Sequence, residues 1–304
     1  MASEAPLDAV SECNPKAMRF SVIVPVYQHW RLVPNLLACL DRQIFPQSKF
    51  ETLLVDNGST ELTIPEDLPL QTRVLRCDTP GSYAARNHGA RHAGGAWLVF
   101  TDADCLPSPA WLQALDDAAK RMSEDGALLA GSVEMVAASD RPGSYEIFDI
   151  VKGIPQARYV GRGYAATANL AVPRPIFDKL NGFDDKRFSG GDADFCRRAG
   201  DQGHPIVYVP EARVDHPARV TWQEVTTKAR RIKGGQLTAG ARSRQRSWML
   251  ATLTPPVRGA WRFLSATQHP LKYRLTAIRV LFLIWIVELS ELVRLSFGGE
   301  PERR

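Results

Sequence analysis

The sequence predicts an α/β fold in which helices flank a mixed, mainly parallel sheet, followed by a helical extension that is both basic and apolar. Three observations carry this. Strand-like apolar runs alternate with helix-like segments through the first two hundred residues, a βαβα rhythm that winds strands into a sheet covered on both faces. The predicted strands end on Pro25-Val26-Tyr27, Asp56-Asn57-Gly58-Ser59 and Asp102-Ala103-Asp104, and open α/β sheets bind ligands beyond those carboxyl ends. Finally, the net charge of +5 conceals a switch near Pro217–Val220: residues 219–304 hold 16 Lys+Arg against 5 Asp+Glu, whereas residues 1–218 hold 22 against 28.

Taken in order, FSVIVPV (Phe20–Val26) reads as a buried strand, Arg31–Gln43 as a helix, Glu51–Val55 as a second strand and Arg73–Arg76 as a short third. Ser82–His92 reads as a helix, Ala96–Thr101 as a fourth strand and Leu128–Met135 as a further one. Pro173–Leu180 reads as a short helix with its proline in the first turn, Asp192–Asp201 as a helix and Ile206–Val209 as the last strand. At 304 residues and 44% hydrophobic the chain is long enough for one large domain with an appendage. Its five cysteines are scattered without a CxxC pair, which excludes a disulfide framework and a structural zinc site and points to reducing cytoplasm. The acidic first 18 residues lack a basic region followed by an apolar stretch and read as a flexible leader, not a signal peptide.

The chemistry concentrates at strand ends. Along an extended segment Asp102 and Asp104 project to one side, where two carboxylates suit a hard divalent cation whose shell phosphate oxygens complete. Ordinary turn punctuation before Pro107 is the other reading. Asp56 could accept hydrogen bonds from a base or ribose, or close its turn; Tyr27 could stack on a base, or pack. Arg86, one turn inside a helix, suits a phosphate or a carboxylate of the site. In SGGDADFCRR, Ser189-x-x-Asp192 has the form of a capping box. Equally, Gly190 and Gly191 could bring backbone close to a substrate and leave Asp192 to take a proton from an acceptor hydroxyl. Asp194 and Arg197 could pair on that helix. His216 follows the last strand, as a packing group or as a ligand.

These motifs, SVIVPVY, LLVDNGS, PGSYAARNHGA, WLVFTDADC, TANLAVPRPIFDKLNGFDD and GGDADFCRR, together resemble the inverting glycosyltransferases of family 2, from about Phe20 to His216. The resemblance implies the GT-A fold, a Rossmann-like sheet, with residues 19–218 as catalytic domain, its nucleotide-sugar half at about 19–105 and its acceptor half at about 106–218. It implies a nucleotide-diphosphate-sugar donor, one divalent cation (Mg2+ or Mn2+), a hydroxyl acceptor and a single inverting displacement. By position, Pro25, Tyr27 and Asp56 would serve the base, Arg86 would sit by the diphosphate or close the donor site, and Asp102 would serve the ribose or metal. Asp104 would ligate the metal, with His216 as a further ligand. Asp192 matches the catalytic base, and Asn169, Gly190, Gly191 and Asp194 fall in the acceptor or sugar pocket. Two positions depart from the pattern: Asn57 replaces an Asp, and Gly191 replaces the Glu of Glu-Asp-x-Asp.

In the extension, LTAIRVLFLIWIVELSELVRL (Leu275–Leu295) is interrupted at Arg279 and Glu288, well short of the roughly 20 apolar residues of a span. Glu288, Glu291 and Arg294 give its second half a polar face, and upstream cations accompany Trp248 and Trp261. This suits a helix lying on an anionic membrane surface; packing on the catalytic domain or on a second subunit is the alternative. Nucleic acid is excluded as a partner, because the aromatics lie within apolar helices and not on a stacking platform. The expected protein is thus a glycosyltransferase on the inner face of the cell membrane, acting on a lipid-linked or glycan acceptor. A catalytically silent sugar-nucleotide binder and a sugar-1-phosphate nucleotidyltransferase are the rivals.

Overall fold

In the computed structural model, residues 18–122, 126–238 and 242–302 are described; the expected leader falls outside them except for Met18, which is buried. Among the described residues eight strands form one sheet: β1 (Phe20–Val26), β2 (Phe50–Asp56), β3 (Thr72–Arg76), β4 (Trp97–Phe100), β5 (Leu106–Pro107), β6 (Leu128–Val136), β7 (Leu170–Pro173) and β8 (Ile206–Pro217), in the order β3-β2-β1-β4-β7-β6-β8-β5. β3, β2, β1 and β4 run parallel, β7 runs against both β4 and β6, and β8 is parallel to β6. The helices are α1 (Val33–Asp41), α2 (Ser82–His92), α3 (Trp111–Lys120), α4 (Ser144–Lys152), α5 (Gln156–Val160), α6 (Arg174–Lys179), α7 (Gly191–Asp201), α8 (Trp222–Thr238), α9 (Arg242–Leu253), α10 (Val257–Leu264) and α11 (Leu271–Ser296).

The alternation in β1 explains the two layers above and below it. Phe20, Val22, Val24 and Val26 point into one core with α1 and α3, while Ile23 joins α2 and α7 on the other face. Every residue of β2 is buried, as expected of a parallel strand covered on both sides.

Three elements differ from the sequence reading. Pro173 ends β7, and Pro175 is the proline in the first turn of α6; the antiparallel pairing of Leu170–Pro173 with Phe100–Trp97 draws that proline into a strand end. β8 runs on to Pro217, beyond the expected Val209, because a bulge opposite Gly131/Ser132 absorbs Pro210–Ala212 and pairing resumes at Arg213. His216 therefore lies within the strand. β4 ends at Phe100, and Asp102–Cys105 is a turn closed by the Cys105 N–H to the Asp102 carbonyl at 3.1 Å.

The helical extension packs against α4. A third core joins Ile147, Phe148 and Val151 of α4 to Val225 and Ala229 of α8, Phe263 of α10, and Ala277, Val280 and Ile284 of α11. Glu288 and Glu291 of α11 turn inward: Glu288 pairs with Lys233 at 3.1 Å and Glu291, only 2% exposed, with the exposed Arg294 at 2.6 Å. No helix among the described residues is long and apolar enough to cross a membrane.

Candidate active site

One open cleft of about 1660 Å³ lies at the carboxyl ends of β1 and β4, roomier than the ~300–1,000 Å³ that a single small ligand occupies. Its walls include Pro25, Tyr27, Arg86, Asp102, Asp104, Gly190, Asp192 and His216. The backbone brings them together for local reasons. Asn57 Nδ2 donates to the carbonyls of Cys77 (3.0 Å) and Thr79 (2.7 Å), and its Oδ1 accepts from the Gly81 N–H at 2.7 Å. An aspartate there could not donate, so Asn57 clamps the loop that launches α2 and with it Tyr83 and Arg86.

Arg86, 4% exposed, donates from Nη2 to Asp102 Oδ1 at 2.5 Å. Burial alone would raise the Asp102 pKa; Arg86, then His216, Arg231 and Lys228, outweigh it and hold the carboxyl below its ordinary range. The short pairing of β5 with β8 sets Leu106 opposite Asp215, which brings His216 Nε2 to 3.7 Å from Asp104 Oδ1. His216 Nδ1 lies 3.0 Å from the Pro217 carbonyl, a contact that holds the ring with Nε2 toward the carboxylate.

Ligand atoms of Asp102, Asp104, Cys105 and His216 all lie within 4.8 Å of one another. Ligands on opposite sides of an ion with ~2.1 Å bonds would be ~4.2 Å apart. The two carboxylates and the imidazole thus fit a hard divalent cation. Cys105 does not, because burial pushes its thiol well above the ordinary value and keeps it protonated.

Asp192 sits in the first turn of α7, after Gly190 in the left-handed conformation (φ 74°). Its Oδ1 accepts from the Ala193 N–H at 2.8 Å and from the Tyr83 hydroxyl at 3.3 Å. Burial raises its pKa, opposed by the Ala193 N–H, Arg86, Tyr83 and the Thr167 backbone, which makes its ionised form a stronger proton acceptor than an ordinary carboxylate. Gly190 caps the helix without any side-chain bond; the capping-box form of Ser189 and Asp192 is not realised.

Four expected site residues stand elsewhere. Asp56 is 2% exposed and its carboxylate accepts from Trp30 Nε1 (2.9 Å), Gly58 N–H (3.1 Å) and Ser59 N–H (3.3 Å); it fastens its own turn and does not face the cleft. Asn169 is fully buried, accepting from Trp111 Nε1 at 2.9 Å and donating to the carbonyls of Ser132 (2.8 Å) and Ala212 (2.7 Å), so it is a strut under the cleft and not a pocket group. Asp194 pairs with Arg187 (3.0 Å) and Arg198 (3.1 Å); the expected partner Arg197 turns to the cleft instead. A Cβ on Gly191 would meet three Tyr83 ring atoms at 2.7, 2.8 and 2.9 Å, so the ring fills the space a glutamate would need.

Other cleft residues went unread in the sequence. The ring of Tyr83, with Tyr159 and Tyr164 stacked at 4.7 Å, supplies aromatic wall. Lys228, Arg231, Ile232 and Gly235 of α8 also face it; their i, i+3, i+4, i+7 spacing was the available signal.

The Glycosyl transferase family 2 model matches residues 21–160. The glycosyltransferase AglE of Haloferax volcanii is 31% identical over 228 residues, 71% of this chain and 72% of its own length. This chain belongs to glycosyl transferase family 2. It is a glycosyltransferase with the GT-A fold. Among solved structures, a mannosyltransferase from Pyrobaculum calidifontis in complex with GDP-Man and Mn2+ superposes with a TM-score of 0.57 at 16% identity, covering 95% of this chain and 91% of that one. S. aureus TarS (residues 1–349) in complex with UDP-GlcNAc gives 0.54 at 16% identity, covering 93% of both chains.

Proposed function

We propose that this family 2 enzyme is a metal-dependent, inverting transferase that moves a sugar from a nucleotide-diphosphate donor to a hydroxyl of a lipid-linked or glycan acceptor. The observation that carries the reading is that Asp192 shares one cleft with Asp102, Asp104 and His216. Pro25 and Tyr27 border the base, Arg86 orients Asp102, and Asp102, Asp104 and His216 hold the cation. A bound divalent cation neutralises charge on the departing diphosphate. Asp192, kept out of bulk water, accepts the acceptor's hydroxyl proton as that oxygen attacks the anomeric carbon from the face opposite the leaving group. Gly190 lets the backbone approach the sugar. The GDP-Man, UDP-GlcNAc and Mn2+ of the structural neighbours support this ligand class.

The enzyme works at the cytoplasmic face of the membrane, with Leu250, Leu253, Val257 and Trp261 set against it. These apolar side chains are exposed, Trp261 by 70%, and Arg246, Arg258 and Arg262 are exposed on the same helices, a composition that suits anionic lipid.

A thermal-shift screen of nucleotide sugars with and without Mn2+ tests the donor site. A stabilising donor that acts only with metal, and fails in Asp104→Asn, supports the reading; a shift independent of both contradicts it.

A further inference from the structure

The cleft wall formed by α4, the segment leading into α8 and α8 itself is rich in cations, and its carboxylate Glu224 is taken up by the Val220 and Thr221 N–H groups at 3.0 and 2.9 Å. Lys152, Arg219, Lys228 and Arg231 all line the cleft. Arg219 donates to Asp149 Oδ2 at 2.7 Å, and Glu288 is bound to Lys233 at 3.1 Å. Among the described residues Lys152 has no ion pair and rests over the Phe148 ring at 5.3 Å, and Lys228 has neither an ion pair nor a hydrogen bond. Arg231 has a buried Nε without a partner.

These groups crowd one another. Burial first, then Arg219 and Lys152, pushes the Lys228 ammonium well below its ordinary value, with Asp149 the opposing charge. Lys152 is lowered as well, by burial first, with Arg219 repelling and Asp149 attracting. Partly buried like charges are unfavourable unless a ligand supplies the missing counter-charge. The metal cluster and Arg86 lie on the β4 and α2 side, and Arg231, close enough to perturb and be perturbed by Asp102, stands between the two groups. From the cations an apolar track continues through Ile232, Ala251 and Trp248, the last 40% exposed, to the exposed Met249 and Leu250.

Resting on the reading of this cleft as the transferase site, we propose that Lys152, Arg219 and Lys228 form a second anion site that takes a phosphate carried by an amphiphilic acceptor, whose apolar part follows Ile232, Ala251 and Trp248. The phosphate sits at α4 and α8, and the acceptor's hydroxyl-bearing portion reaches toward Asp192.

The test is calorimetric titration of the full chain with octyl phosphate below its micelle concentration, and with inorganic phosphate. The expected result is octyl phosphate binding that is undiminished by saturating nucleotide sugar with Mn2+. It weakens about tenfold or more in Lys152→Met/Lys228→Met, as the loss of charge-assisted contacts implies. Inorganic phosphate binds the same site more weakly. The ligand-free double variant melts no lower than wild type, because removing repelling cations relieves the native state. The proposal is overturned by absence of octyl phosphate binding in wild type, by unchanged binding in the double variant, or by displacement by the nucleotide sugar, which would assign the cations to the donor. Inorganic phosphate binding as tightly as octyl phosphate would overturn the amphiphilic acceptor. Failure of the donor reading shows separately, as loss of the Mn2+-dependent nucleotide-sugar shift in the same proteins.

Discussion

Replacing Asn169 by alanine separates a strut from a sugar ligand. The side chain is fully buried and makes three bonds, one from Trp111 Nε1 and two to the Ser132 and Ala212 carbonyls. Each buried group left unpaired costs about 1–3 kcal/mol, and a water entering the small polar space recovers part of that. The net loss is about 3–6 kcal/mol, a large share of the ~5–15 kcal/mol that holds a protein folded. At ~2–4 °C per kcal/mol for chains of comparable length, the midpoint falls by roughly 6–24 °C. Circular dichroism melts and urea titrations at fixed protein concentration measure it. A midpoint within ~2 °C of wild type, accompanied by lost transfer, would refute the reasoning and return Asn169 to the pocket.

Two further outcomes follow from the α2–α7 contact. Gly191→Ala forces a methyl into the Tyr83 ring; overpacking of about 1–3 kcal/mol exceeds the ~0.5–1 kcal/mol gained in helix propensity, so the melting temperature drops, and a rise would contradict the packing. In Tyr83→Phe the pH profile of transfer moves. On the proposed mechanism Asp192 acts deprotonated, and its pKa is raised by burial, so kcat/KM climbs with pH and levels off above that raised value. The Tyr83 hydroxyl is one of the groups lowering it, and its removal shifts the acid limb to higher pH; an unmoved or lowered limb would exclude the bond. For stability the sign is opposite: the native state holds the Asp192 proton more tightly than the unfolded chain, so the group's stabilising contribution is complete below the unfolded carboxylate pKa and is lost as pH rises through the raised one.

Local patterns were legible in this sequence where both faces of an element are decided by neighbours along the chain. β1 and α2 begin and end where the apolar run and the PGS entry place them. The paired carboxylates were readable too, although a turn and not strand alternation brings Asp102 and Asp104 together. What the chain conceals is tertiary. The bulge that carries β8 past Pro210, and so places His216 beside Asp104, depends on pairing with β6 some eighty residues earlier. Asn169 and Asp56 have the composition of ligands, yet Trp111 and Trp30 consume their polar atoms from distant positions. The Lys228 and Arg231 pair reads as surface charge until α11 presses α8 onto α4 and turns that face into the cleft.

The most direct measurement is transfer and donor binding by Asp192→Asn, read as nucleotide-diphosphate release with acceptor present and as the Mn2+-dependent thermal shift with nucleotide sugar. On the proposed mechanism this variant loses the proton acceptor and keeps the cation and diphosphate contacts of Asp102, Asp104 and His216, so turnover falls by about 10²-fold or more while the shift stays at its wild-type size. Turnover within a few-fold of wild type, or a shift that disappears together with it, would contradict the assignment of Asp192 as base.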